Sequence, residues 1–261
     1  MSRFTLFIFA LVLSLPSVAE VDVEALIISS EKVAYYSGQD GRSDARMMIV
    51  DAQGRKQMRQ FTILRRDIKD NGDQQMMVFF SRPTDVKDTV FRVEKHADIT
   101  VDDDRWLYLP ALDLVKRISA GDKRTSFVGS HFFYEDVSGR AISEDDFELV
   151  DETSENYILK ATPKSADSVE FSYYHVSISK QSKLPVKIDF FNQEGVNYRR
   201  VEAVKIDNIQ GFPTVLRSKV SDLVNGGYTL MEFRNISYDL GLPDDVFSER
   251  SLRTPPRQWL N

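Results

Sequence analysis

Cysteine is absent from this 261-residue chain. Disulfides, thiol nucleophiles and cysteine-ligated zinc are therefore excluded, and stability has to come from an ordinary core. Histidine is scarce: His96, His131 and His175 stand far apart in sequence. No Gly-x-Ser-x-Gly elbow and no His-Glu-x-x-His pair occurs. Ser130 and His131 are chain neighbours, whereas a catalytic triad brings its base across a fold. An excess of basic charge is also lacking. The formal net charge is −6, which counts against nucleic acid or an anionic surface as the main partner. No linker rich in Gly, Ser or Pro divides the chain, and no segment is of low complexity.

A second long apolar run is missing too. The one present is Phe4 to Leu15, after Arg3 and before Pro16 and Ser17-Val18-Ala19. It is shorter than the roughly 20 residues a spanning helix needs. The basic start and the small residues at 17 and 19 read as a secretory signal peptide, residues 1–19, cleaved after Ala19. An uncleaved membrane anchor is the alternative. No cysteine follows that could carry a lipid. The expected product is an exported, periplasmic protein, with 20–261 as a single domain.

What is present is mainly β pattern. Asp22 is placed to cap a helix, with Val23, Leu26, Ile27, Ser30, Val33 and Ala34 at helical spacing and Gly38 ending it. Period-two runs follow, separated by turn signals such as Asn71-Gly72 and Asn225-Gly226-Gly227. They predict about a dozen antiparallel strands in one large curved sheet. Residues 242–252 read as a helical turn with an irregular tail. The acidic run Asp102-Asp103-Asp104 reads as a solvated hairpin turn; as a calcium loop it lacks the spaced ligands and closing glutamate.

Aromatic residues are plentiful: 17 Phe, 10 Tyr and 2 Trp. Several strands are apolar on both faces, among them Met76–Phe80 and Trp106–Leu109. A sheet with one wet face would alternate. Both faces are therefore dry, either in a solidly packed sandwich or barrel or around an apolar cavity. Trp106 and Tyr108 share one strand face, Leu107 and Leu109 the other, and one pair is expected to line such a cavity. Thr125–Gly139 breaks alternation and carries Phe127, Phe132, Phe133 and Tyr134. It is expected to form a lid or rim over the mouth, or else a plain packed connection.

Three stretches in the middle of the chain, Arg105–Leu112 (RWLYLPAL), Val115–Ser119 (VKRIS) and Ser126–Asp136 (SFVGSHFFYED), resemble the signature of the outer membrane lipoprotein-sorting proteins of the LolA-like superfamily. Leu184–Ile188, Ile209–Phe212 and Leu242–Arg250 follow in the family's order, so the resemblance runs over roughly residues 30–253. It implies an incomplete antiparallel β-barrel of about eleven strands, with helices covering the concave face and acyl chains held inside. It implies a carrier of lipid or lipoprotein between envelope membranes, sometimes beside an exporter of the resistance-nodulation-division type. Its partners would be an inner-membrane transporter and an outer-membrane acceptor, both transient, and the protein a monomer without cofactor or metal. The cargo-gating arginine of the classical carrier has no matching position here, so a lipid cargo is the firmer implication. A lipid-sensing regulatory module is the second reading and a hydrolase the third. Trp106, Tyr108, Phe127, Phe132, Phe133 and Tyr134 are the candidate lipid-binding residues.

Overall fold

The structure is a computed structural model that describes residues 21–69, 72–98 and 101–260. The expected leader and its cleavage point lie outside these residues. Helix α1 (Val23–Tyr35) begins where the sequence places it, because the Asp22 carboxylate accepts the Ala25 N–H at 2.9 Å. A meander follows: β1 (Asp40–Val50), β2 (Lys56–Asp67), β3 (Gln74–Arg82), β4 (Val90–Lys95), β5 (Asp104–Leu109) and β6 (Leu114–Ile118). Residues 119–144 carry a one-turn helix, α2 (Tyr134–Ser138), and bring the chain to the far edge of the sheet. A second meander returns: β7 (Asp145–Glu152), β8 (Asn156–Pro163), β9 (Tyr173–Ser179), β10 (Pro185–Phe191), β11 (Asn197–Ile209), β12 (Phe212–Asp222) and β13 (Tyr228–Tyr238).

All 13 strands form one antiparallel sheet, joined at its middle where β13 pairs with β1 and Met47 faces Met231. β6 and β7 are its free edges, so the barrel is incomplete. The fold class is the expected one, with more strands than the resemblance implied. β7 carries Asp146, Glu148, Asp151 and Glu152, and β6 carries Lys116 and Arg117. Such charges discourage pairing with another chain.

Both faces of the sheet are dry over β2–β5, for two different reasons. On the concave face the crossover drives Phe127, Phe132 and Tyr134 into a cluster with Met47, Phe61, Phe80, Phe91, Val220 and Met231. On the convex face the C-terminal tail lays Leu242, Val246, Phe247 and Leu252 over Leu64, Met77, Phe79, Val90 and Tyr108. The helical turn expected at 242–252 is present as a 3-10 turn, Asp244–Phe247, and α3 (Arg250–Arg253). Asp40 fastens the tail: its two carboxylate oxygens each accept one N–H, of Leu240 and of Leu242, both at 2.6 Å. Alternate residues of β3 therefore serve two separate cores, which is why Met76–Phe80 shows no polar phase.

Candidate functional site

An apolar cavity of about 410 Å³ lies on the concave face. Its floor is the middle of the returning meander: Ile188 on β10, Val201 and Ala203 on β11, Ser218 on β12, and Met231 and Phe233 on β13. Phe127, Phe132 and Val137 of the crossover form the inner wall. Leu184 and Pro185 at the start of β10 and Pro213–Val215 at the start of β12 complete the lining with Tyr238.

Helix α1 spans this cavity. Near its start Leu26 packs with Leu159, Ile178 and Phe190 on β8–β10. Its last turn is tied to the other half of the sheet. Gln74 Nε2 donates to the Tyr35 carbonyl at 2.8 Å, Arg65 donates to the carbonyls of Ser37 and Gly38, and Lys95 pairs with Glu31 at 3.3 Å. Val33 and Ala34 of the span line the cavity beneath.

The crossover is held by a buried ionic cluster. Glu135, 2% exposed, meets Arg124 at 2.5 Å, Arg140 at 3.1 Å and Lys123 at 3.4 Å. Arg124 continues to Glu170, Arg140 to Glu144 and Asp145, and Lys123 to Glu144. Asp136 accepts the Phe133 N–H at 2.6 Å and pairs with Arg199, whose guanidinium lies 4.3 Å from the Phe133 ring centre. Burial opposes the charge on Glu135, but Arg124, Arg140 and Lys123 together hold its pKa below the usual 4.5. Glu170 behaves alike: burial raises its pKa, and the hydrogen bond and charge of Arg124 lower it further, to a net depression. The cluster joins the crossover to the edge strand β7 and the loop before β9, across the gap where the barrel does not close.

The sequence profile of a family described as "Uncharacterized protein" matches residues 72–254. A DUF1329 family protein from Desulfovibrio piger is 29% identical, with a TM-score of 0.80 over 87% of this chain and 96% of that one. An outer membrane lipoprotein-sorting protein domain from Vibrio parahaemolyticus is 22% identical, with a TM-score of 0.76 over 88% and 96%. A LolA superfamily protein from Nitrosomonas europaea shares 16% identity and a TM-score of 0.65 over 88% and 99%. The chain belongs to the matched family, and its fold is LolA-like. No curated protein is significantly similar in sequence.

In this LolA-like chain the candidate residues do not stay together. Phe127 and Phe132 line the cavity. Tyr134 is buried beside them but packs on Phe91 and Phe127 without reaching the cavity surface. Phe133 lies under Arg124 and Arg199 instead. Trp106 and Tyr108 require a correction. They point to the convex face, where Arg92 covers Trp106 at 4.6 Å and Tyr108 joins the core under the C-terminal tail. Leu107 and Leu109 take the concave side, in the core rather than on the cavity wall. The 125–139 segment puts Phe127, Phe132 and Val137 on the cavity wall, and the span across the cavity is α1.

The acidic run does lie at the β4–β5 hairpin connection, but it is not simply solvated, since the Asp103 side chain is buried. Asp103 and Asp102 pair with Arg105, itself 2% exposed, at 2.8 and 3.5 Å, and Asp104 pairs with Arg117. From that turn Asp102 and Asp103 neutralise a buried guanidinium. Among the described residues no three acidic or histidine side chains converge as metal ligands. His131 fastens the crossover to β13 through Thr229, with its backbone N–H at 3.0 Å and Nδ1 at 2.8 Å. Sequence reading missed α1 as a cavity wall and missed the β11–β13 floor. Their only signal was the alternation of Val201 with Ala203 and of Met231 with Phe233, which does not say which face is covered.

Proposed function

We propose that this protein is a periplasmic carrier that holds an acyl chain of a lipid or lipoprotein in the concave cavity and moves it between envelope membranes. The observation that carries the reading is the cavity itself. It is lined by aliphatic and aromatic side chains, and three arginines at its walls are already neutralised: Arg65 by Asp67, Arg124 by Glu135 and Arg140 by Asp145. Such a wall accepts hydrocarbon. Each buried CH₂ contributes about 0.8 kcal/mol, so a long chain gains roughly 10 kcal/mol before ordering costs. That holds a lipid through water, and a competing apolar site on a membrane partner releases it. Transfer needs no bond to be made or broken. No helix among the described residues is long and apolar enough to cross a membrane. In this reading the leader ends at Ala19, 20–261 act as one domain and as a monomer, an inner-membrane transporter supplies the cargo and an outer-membrane acceptor takes it.

Ser218 lies on the cavity floor, between Ala203 and Met231 in the register. Ser218→Trp fills the space from below. Transfer of a fluorescent-tailed phospholipid between donor and acceptor vesicles is faster with the wild-type protein and falls to the uncatalysed rate with the variant. Equal rates with and without wild-type protein, together with no lipid retained in native mass spectrometry of protein isolated from the periplasm, refute the carrier.

A further inference from the structure

We propose that the convex face carries a second ligand site, distinct from the acyl cavity, that binds an organic anion. A pocket of about 470 Å³ lies between β1, β2, β3, the loop before β4 and the C-terminal tail. That volume suits a small organic molecule, since such sites run from about 300 to 1,000 Å³. Thr62, Phe79 and Val90 face into it from the sheet, and Pro255 and Leu260 of the tail lie over it. Apolar and polar surface thus meet in one enclosure.

Its charge is unbalanced. Four cations, Arg42, Arg46, Lys87 and Arg234, line the pocket against two carboxylates, Asp44 and Asp88. Asp44 is fully used: it accepts from Arg42 at 2.8 Å, Thr62 at 3.0 Å and Asn235 at 2.8 Å. The acid opposite Arg46 across the strand pair is Glu232, and Arg217 at 2.6 Å and Arg234 at 3.5 Å already hold it. The side chains of Arg46 and Lys87 make no ion pair or hydrogen bond with a described residue. The contrast with the concave cavity is direct, since every arginine there has its own carboxylate. Asp88, also exposed, has no side-chain partner among the described residues, so two unspent cations stand against one unspent carboxylate. That residual positive charge beside a partly apolar pocket, in a chain of net charge −6, favours a ligand with a carboxylate, sulfonate or phosphate at one end and an apolar body at the other. The anionic end meets Arg46 and Lys87, and the body lies on Phe79 and Val90 beneath Leu260.

The probe is 8-anilinonaphthalene-1-sulfonate, used on the Ser218→Trp protein so that the concave cavity is filled. Its fluorescence rises on binding, and the amide shifts it causes in NMR spectra cluster at Ser81, Asp88–Val90 and Leu260. Arg46→Gln with Lys87→Gln weakens binding at least about tenfold, because two charge-assisted contacts are lost, whereas Arg46→Lys alone retains most of it. Both side chains are exposed and unpaired, so thermal melts of the variants match that of the parent. Competition identifies the source of the anion. Displacement by monomeric lysophosphatidylglycerol alone assigns a lipid headgroup, and displacement by glycerol 3-phosphate as well assigns a soluble phosphate ester. Unchanged affinity in the double variant, shifts confined to Val137 and the other concave residues, or displacement by neither compound overturns the proposal. None of these outcomes depends on whether the concave cavity carries lipid.

Discussion

Replacing Glu135 by Gln tests whether the ionic cluster is what holds the crossover in the sheet. The substitution keeps the shape and removes one buried anion from among Lys123, Arg124 and Arg140. Removing one partner of a buried pair costs about 3–5 kcal/mol, since the other charge is left without compensation. Here each cation keeps a second carboxylate, Glu144, Glu170 or Asp145, so the low end, about 3 kcal/mol, is expected. For a chain of this length that lowers Tm by about 6–12 °C. The pH dependence makes the test specific. The folded-state pKa of Glu135 lies below the ordinary 4.5, so its ionised form contributes stability above pH 4.5 that is lost as pH falls through the folded value. The gap between wild type and Glu135→Gln is therefore full at pH 7, narrows below pH 4.5 and closes at lower pH. Urea unfolding of both proteins at a series of pH values measures it. A gap under about 0.5 kcal/mol at pH 7, or one that stays constant down to pH 3, refutes the reasoning.

Phe127→Ala should cost about 3–5 kcal/mol in urea unfolding, because the ring is fully buried among Phe61, Phe80, Phe91 and Tyr134; a loss under about 1 kcal/mol contradicts the packed wall. Trp106 emission should not move when oleate fills the concave cavity, since the indole sits on the other face beneath Arg92; a clear shift in a Trp259→Phe background contradicts that orientation. Gly227→Ala should destabilise measurably in a thermal melt, because φ is +92° and a Cβ there would lie 2.8 Å from the Val50 carbonyl. A Tm equal to that of the wild type shows that the turn relaxes freely.

Much of this architecture was legible from local chemistry. Asp22 fixes the start of α1 because a carboxylate at that position satisfies a free helix N–H. The period-two runs and their turn signals determined a mainly antiparallel sheet, and the block at 126–136 marked the segment on which the concave face depends. Glu135 and Asp136 stood in that block, though only tertiary contacts make them the centre of an ionic cluster. Glu135 pairs with Lys123, Arg124 and Arg140 of the crossover, Asp136 with Arg199 on β11, and Arg124 reaches on to Glu170 before β9.

Which face each strand turns to the cavity was decided by the tertiary structure alone. Alternation is symmetric: it separates Trp106 and Tyr108 from Leu107 and Leu109 but does not say which pair is inside. The answer depends on two covering segments that lie far away in sequence, the crossover on one side and the C-terminal tail on the other. Because both are apolar, the strands between them lose the polar phase that would have marked an outer face. The sequence by itself therefore determined the sheet, its helix and its family. The position of the cavity, under α1 and over β10–β13, was set by which surfaces those segments leave uncovered.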